Sequence, residues 1–236
     1  MRVAVLVPAY QAAPWLGDVL ARLSALETRP EVLVVDDGSR DATAQVAREA
    51  GVRVLSFAGN RGKGAALRAG FEALREFDAV ITLDADGQHP PECIPAFVRA
   101  AEDGADVVLG ARERSASMPA PRRFANALSS AWASGIAGQR IRDSQCGYRL
   151  FRREVLERTP LGAGRYEVES EMVVRAARLG FRFAEVLIPT VYEGESHLSV
   201  ARDVPRIVWM MMRLTLERVA PPPELRAALR KPEGRA

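Results

Sequence analysis

The sequence predicts an α/β fold with a mostly parallel central sheet flanked by helices. Three observations predict it. Short continuous apolar runs recur at Val3–Val7, Glu31–Val35 and Ala79–Leu83, the pattern of strands buried on both faces. Stretches of about 10–15 residues with helical apolar spacing separate them, which implies βαβ units. Several runs also end in polar loops containing glycine, at Asp36–Ser39 and Asp84–His89.

In chain order, the first strand is Val3–Val7, closed by Pro8. Leu16, Val19, Leu20 and Leu23 are helically spaced within a helix over Pro14–Leu26. The second strand, Glu31–Val35, leads to Asp36-Asp37-Gly38-Ser39, after which Asp41 can cap the next helix. A third strand over Val52–Phe57 precedes the loop Ala58–Gly64, and a helix then runs to about Arg75. The fourth strand, Ala79–Leu83, is followed by a helix over Pro91–Ala101 and a strand over Ala105–Leu109. Further on, Gly110–Pro121 reads as loop, Arg122–Ser134 and Glu167–Leu179 as helices, and Phe183–Ile188 as a strand.

Composition bounds the function. A chain of 236 residues, 48% hydrophobic and 27% charged, can bury a sizeable core. A net charge of +3 and a pI near 9.2 are too mild to argue for a nucleic-acid partner. Arginine dominates lysine and concentrates after residue 110, which suits anionic ligands because a guanidinium binds phosphate bidentately. Cys93 and Cys146 lie far apart with no metal-ligand spacing, so they are expected as free thiols of a reducing cytoplasm. Met1-Arg2 runs straight into a strand, and no stretch approaches the roughly 20 apolar residues of a spanning helix. A cytoplasmic protein is expected, at the inner face of the membrane if something holds it there.

The chemistry centres on Asp84-Ala85-Asp86-Gly87-Gln88. A buried strand ending in Asp-x-Asp puts oxygen donors at the carboxyl edge of a sheet, where open α/β folds bind ligands. Mg²⁺ and similar hard cations often use one or two carboxylates plus substrate phosphates. Taken alone, an Asp-x-Asp reads more readily as a solvated acidic turn than as a metal site. Three strand-end loops, at Pro8-Ala9-Tyr10, Asp36–Ser39 and Asp84–His89, favour a nucleotide or other phosphate-bearing ligand instead.

The last helical stretch, Arg202–Val219, places Arg202, Arg206, Arg213 and Glu217 within about 60° of one another at helical periodicity. Its broader surface is apolar, with Trp209, Met210, Met211, Met212 and Leu214. Core packing, a homodimer contact and an interfacial membrane helix all fit that pattern. Residues 1–200 are expected to form the main domain, 201–220 this amphipathic helix, and 221–236 a Pro-rich, charged and disordered tail.

Five segments then combine: VPAYQ (7–11), VVDDGSRDAT (34–43), NRGKGAALRAGF (60–71), LDADGQHPPE (83–92) and DSQCGYRLF (143–151). Together they resemble the inverting family-2 glycosyltransferases, and more narrowly the polyprenyl-phosphate (dolichyl-phosphate mannose synthase-like) branch. The resemblance covers about residues 1–200. It implies a GT-A (nucleotide-diphospho-sugar transferase) fold, Mg²⁺ or Mn²⁺ as cofactor, a nucleoside-diphosphate sugar of the UDP-glucose or GDP-mannose type as donor, and a polyprenyl phosphate as acceptor.

Carried over by position, the resemblance implies that Pro8, Ala9 and Tyr10 line the nucleotide pocket. Asp37 would contact the base or ribose with Asp36 supporting its turn, and Lys63 and Ala85 would also lie near the nucleotide. Asp84 would approach ribose and metal, while Asp86 and Gln88 would ligate the metal. Asp143 stands where relatives place a base, and is a catalytic candidate with Asp84. A phosphate acceptor is already an oxyanion and needs positive charge more than a base; Arg112, Arg122, Arg123, Arg149 and His197 are the candidates. His89 is expected as a turn residue. Relatives end one motif with Gly-Glu-Ser-Lys where this chain has Gly194-Glu195-Ser196-His197, so a lysine phosphate contact there is either lost or made pH-dependent.

Other readings stay open: a soluble or glycan acceptor, or a non-catalytic sugar-nucleotide-binding protein. A dinucleotide-dependent oxidoreductase would need Gly-x-Gly-x-x-Gly after the first strand, and Pro8-Ala9-Tyr10-Gln11 supplies no glycine.

Overall fold

The computed structural model describes residues 1–112, 120–144, 146–161, 167–189 and 200–230. Within them a seven-stranded sheet runs in the order β3-β2-β1-β4-β6-β5-β7. Its strands are β1 (Val3–Ala9), β2 (Glu31–Asp36), β3 (Arg53–Ser56), β4 (Ala79–Thr82), β5 (Val107–Arg112), β6 (Arg149–Arg152) and β7 (Phe183–Ile188). All pairings are parallel except those of β6, which runs antiparallel to β4 and β5. The helices are α1 (Ala13–Ser24), α2 (Thr43–Glu49), α3 (Lys63–Ala73), α4 (Ile94–Glu102), α5 (Ala120–Ala137), α6 (Arg153–Arg158), α7 (Glu167–Arg178), α8 (Val200–Leu216) and α9 (Pro223–Arg230).

The alternation of side chains along a strand sorts the core into two layers. Val5 and Val7 of β1 pack with Leu16, Val19, Leu20 and Leu23 of α1 and with Phe97 of α4. Ala4 and Leu6 face the opposite way, onto Leu67 and Phe71 of α3 and Met172 and Val173 of α7. A strand covered on both sides has no polar face to show, so Val3–Val7 reads as one unbroken apolar run. Pro8 does not end β1, which continues to Ala9 in register with β2. The backbone of Leu6 points at β4, where its carbonyl accepts from Leu83 N at 3.0 Å. Pro8 has the same parity but lies beyond the last β4 pairing, Leu6 with Thr82, so its missing N–H costs no ladder bond.

Several elements depart from the sequence expectations, and β6 and α6 fall where no strand or helix was expected. Gly110, Ala111 and Arg112, expected in a loop, extend β5 against β7. At the C-terminus α9 forms where a disordered tail was expected; Leu225 is fully buried in the layer that includes Leu67 and Met172. An amphipathic helix of eight residues is enough to dock a segment whose composition alone is that of a solvated tail.

The charged stripe of α8 faces inward over its described part. Arg175 of α7 donates to both carboxylate oxygens of Glu217 at 3.1 and 2.7 Å, and pairs with the fully buried Glu171 at 2.8 Å. Arg213 also reaches Glu171, at 3.0 Å. Met210 and Leu214 pack on Val174, while Val208, Trp209, Met212, Leu216 and Val219 remain exposed. Among the described residues no helix is long and apolar enough to cross a membrane. Both cysteines are free, as expected.

Candidate active site

The carboxyl ends of β1, β2 and β4 lie side by side, and so do the loops that leave them. At the end of β2 the turn is held by its own carboxylates. Asp36 Oδ1 accepts from Ser39 N at 3.0 Å. Asp37, buried, accepts from Arg61 N at 2.7 Å and Gly62 N at 2.8 Å, tying β2 to the loop that opens α3. The β1 loop joins the same group: Ala9 O accepts from Asp37 N at 2.8 Å, and Ser39 Oγ accepts from Gln11 N at 3.0 Å. Ala9 is buried and Tyr10 is exposed at this edge. The expected nucleotide-pocket residues therefore converge, with Asp37 organising the backbone around them.

Beyond β4 the chain turns at Gly87, whose φ of +72° suits glycine. Asp86 Oδ1 accepts from Gln88 N at 3.0 Å, which fixes the turn that carries all three expected ligand residues. Gly147 closes over Asp84 from the other side: a Cβ there would collide with Asp84 Oδ2. Only a glycine lets the backbone entering β6 approach the carboxylate so closely.

The two carboxylates of Asp84-Ala85-Asp86 sit in opposite electrostatic environments. Lys63 Nζ, from the first residue of α3, lies 2.6 Å from Asp84 Oδ1 and 2.7 Å from Glu169 Oε1 of α7. Burial pushes the Asp84 carboxyl up, but Lys63, with His89 and Arg149 nearby, outweighs it and holds Asp84 below the ordinary carboxylate range. Burial would lower Lys63, yet its two carboxylate partners raise it. Asp86 is pushed up, first by burial and then by the charge of Asp84. Among the described residues Asp86 has no ion-pair partner. Two carboxylates on one turn, the second lacking a counter-charge, with Gln88 on the same turn, are donors of the kind a hard divalent cation takes.

Across this turn, Arg112 at the end of β5 donates to Asp143 through Nε at 2.6 Å and Nη2 at 3.0 Å, and both side chains are nearly buried. The expected base and one expected anion contact thus form a single bidentate pair. His89 senses the charges of Asp84, Asp86 and Arg112. It stands in the loop after β4 with its ring buried, Nε2 is 3.6 Å from Cys146 Sγ, and burial lowers its pKa. Burial pushes the Cys146 thiol up to about 12, which removes it as a nucleophile.

Arg149 requires a correction. It was expected to hold acceptor phosphate, but it is 1% exposed, the largest fully buried side chain among the described residues. Its Nε donates to Cys146 O at 2.7 Å, Nη2 to Ser144 O at 2.8 Å, and Nη1 to Glu169 O. The guanidinium is the internal brace of the 143–149 segment rather than a surface for anions. Arg122 and Arg123 fall on the first turn of α5, with side chains outside the described residues; His197 lies outside them altogether.

Glu169 lies in the helix expected over Glu167–Leu179, and nothing in the sequence gives it a role at the site. Its partner Lys63 is distant in the chain, and no local signal joins them.

Three comparisons locate this architecture among known proteins. The model of the family described as "Glycosyl transferase family 2" matches residues 4–159. The chain is 34% identical over 215 residues to undecaprenyl-phosphate mannosyltransferase of Micrococcus luteus, covering 84% of this chain and 88% of that one. It is 32% identical over 213 residues to polyprenol monophosphomannose synthase of Mycolicibacterium smegmatis, covering 84% and 80%. Its fold is similar to that of glucosyl-3-phosphoglycerate synthase from Mycobacterium tuberculosis, solved in complex with Mn²⁺ and UDP-glucose. That match has a TM-score of 0.70 at 21% identity, covering 93% of this chain and 79% of that one. The doubly covered sheet, the strand-end loops and these matches agree: the chain belongs to glycosyl transferase family 2 and is a glycosyltransferase of the GT-A fold.

Proposed function

We propose that the protein transfers a hexose from a nucleoside-diphosphate sugar to a polyprenyl phosphate, with a divalent cation, Mg²⁺ or Mn²⁺, held by Asp84, Asp86 and Gln88. One observation carries the reading. The Asp84–Gln88 turn and the Arg112–Asp143 pair face one cluster at the carboxyl edge of the sheet, beside the loops that leave β1 and β2. The names of the relatives that match along most of the chain supply the acceptor class.

The bound cation would offset charge developing on the departing nucleoside diphosphate. The protein's part is orientation and charge. Asp37 holds the Arg61–Gly62 backbone at the entry of α3, shaping the pocket assigned to the nucleoside with Pro8, Ala9, Tyr10 and Ala85. An acceptor oxygen attacks the anomeric carbon from the face opposite the diphosphate. A new C–O bond forms as the old one breaks, and the electron pair leaves on the diphosphate. A fully ionised acceptor phosphate brings no proton to remove. Arg112 then matters more than a base would, and Asp143 positions Arg112 through its bidentate contact. Arg122, Arg123 and His197 are assigned to the acceptor phosphate as well.

A polyprenyl acceptor lies in a bilayer, so the enzyme must work at one. The outward Trp209, Met212, Leu216 and Val219 of the α8 region, beside the exposed Arg218, are the surface assigned to that contact.

The test is transfer of labelled sugar from UDP-glucose and GDP-mannose to a polyprenyl phosphate in detergent, with and without Mn²⁺. The reading expects a labelled lipid product from one donor, lost on adding EDTA. Transfer only to water-soluble acceptors, or full turnover in EDTA, overturns it.

A further inference from the structure

Lys63 is the feature that the proposed function leaves without a task of its own. One ammonium joins three elements, because Nζ at the start of α3 contacts Asp84 beyond β4 at 2.6 Å and Glu169 of α7 at 2.7 Å. All three side chains are largely shielded, exposed by 16%, 24% and 13% respectively. Interactions between charges in such a site are weakly screened, and they act on any further ion that enters.

We propose that Lys63 is the resident counter-cation of the metal carboxylates, and that it makes metal and diphosphate enter as one unit. The inference rests on the assignment of Asp84 and Asp86 to the metal. Two opposed effects follow from one positive charge. Toward a lone divalent cation, Lys63 is a competitor: it neutralises half of the Asp84–Asp86 pair and repels the ion through space. Toward a nucleoside diphosphate, the same ammonium is an attractive partner, standing at the entry of α3 where the Arg61 and Gly62 amides are already fixed by Asp37. A metal–diphosphate unit feels the attraction and largely cancels the repulsion. Glu169 sets the balance, since it draws Lys63 part-way off Asp84 and anchors it to α7. The backbone carbonyl of Glu169 is in turn gripped by Arg149, so the position of Lys63 is built into the buried brace.

The test measures Mn²⁺ binding by electron paramagnetic resonance of the full chain, alone and with saturating UDP or GDP. The wild type should bind Mn²⁺ weakly alone and at least about tenfold more tightly with the diphosphate it accepts. Lys63→Met should bind Mn²⁺ alone about tenfold more tightly than wild type and lose most of the diphosphate enhancement; Lys63→Arg should keep the wild-type pattern. Equal or weaker Mn²⁺ binding by folded Lys63→Met overturns the proposal, because a merely structural lysine would loosen the site. Should Lys63→Met fail to fold, Glu169→Gln decides: Lys63 then bears wholly on Asp84, and Mn²⁺ binding without nucleotide should weaken several-fold. Unchanged or tighter binding there overturns it too. Absence of Mn²⁺ binding by the wild type even with a diphosphate would overturn the metal assignment and this proposal together, whereas normal wild-type coupling with an unaltered Lys63→Met overturns this proposal alone.

Discussion

Replacing Arg149 by methionine separates a structural arginine from an anion-binding one. The side chain is 1% exposed, and its guanidinium donates to the carbonyls of Cys146, Ser144 and Glu169. Methionine fills much of the volume but donates nothing, so three carbonyls lose a charged donor. A hydrogen bond from a charged group contributes about 1.5–3 kcal/mol, and an orphaned buried polar group costs about 1–3 kcal/mol. Relief from burying the guanidinium offsets part of that loss. A net destabilisation of about 3–5 kcal/mol follows, a large share of the roughly 5–15 kcal/mol that holds a domain. Urea unfolding should show a lower midpoint at unchanged slope, and Tm should fall by roughly 6–20 °C at about 2–4 °C per kcal/mol. A Tm within about 2 °C of wild type, with a raised KM for the acceptor alone, would refute the bracing role and return Arg149 to the acceptor.

Cysteine alkylation reads burial at two positions. With its thiol pushed up to about 12, Cys146 holds roughly one part in ten thousand thiolate at pH 8. Mass spectrometry should therefore find native protein modified at Cys93, and at Cys146 only after unfolding; early modification of Cys146 would contradict the packing around His89. Glu217→Ala leaves Arg175, 4% exposed on its side chain, with Glu171 as its remaining carboxylate partner on α7, and should cost about 1–3 kcal/mol, with amide exchange rising first in α8; a shift under about 0.5 kcal/mol would mean the Glu171 contact suffices. Converting Trp209, Met212 and Leu216 to serine alters side chains that are 58%, 55% and 68% exposed. Tm should hold while flotation with anionic liposomes is lost. Retained flotation, or loss of a stable dimer instead, would assign that face elsewhere.

Much of the sheet was legible because β1, β2 and β4 are covered on both faces and so carry unbroken apolar runs. β7 was read with its observed bounds, Phe183–Ile188. β6 was not legible: Arg149-Leu150-Phe151-Arg152 is four residues long and bounded by arginines. Those guanidiniums look like surface charge until the carbonyls that receive them are known, among them Ala105 O for Arg152 at 3.0 Å. The same blindness misassigned Arg149. The acidic turn at Asp84–Gln88 was legible because its chemistry is local: a strand end, two carboxylates and a glycine. The Lys63–Glu169 contact and the pairing of Arg112 with Asp143 are long-range, and spacing in the sequence carries no trace of either. The inward turn of the α8 charged stripe was hidden for a related reason. A helical wheel gives the arrangement of faces, while the buried Glu171 and Arg175 of α7 decide which face points in.

The central claim is that the Asp84–Gln88 turn anchors a metal-bound diphosphate, and thermal shift with UDP and GDP, with and without Mn²⁺, tests it on wild type and Asp86→Ala. Binding raises Tm by mass action, about 2.7 kcal/mol at a hundred times Kd. For the wild type we predict a rise of several degrees with one nucleotide that needs Mn²⁺. For Asp86→Ala we predict a folded protein, with a cooperative melt near the wild-type baseline, in which that rise is abolished. An equal Mn²⁺-dependent rise in Asp86→Ala, or an equal rise for the wild type in EDTA, would contradict the account.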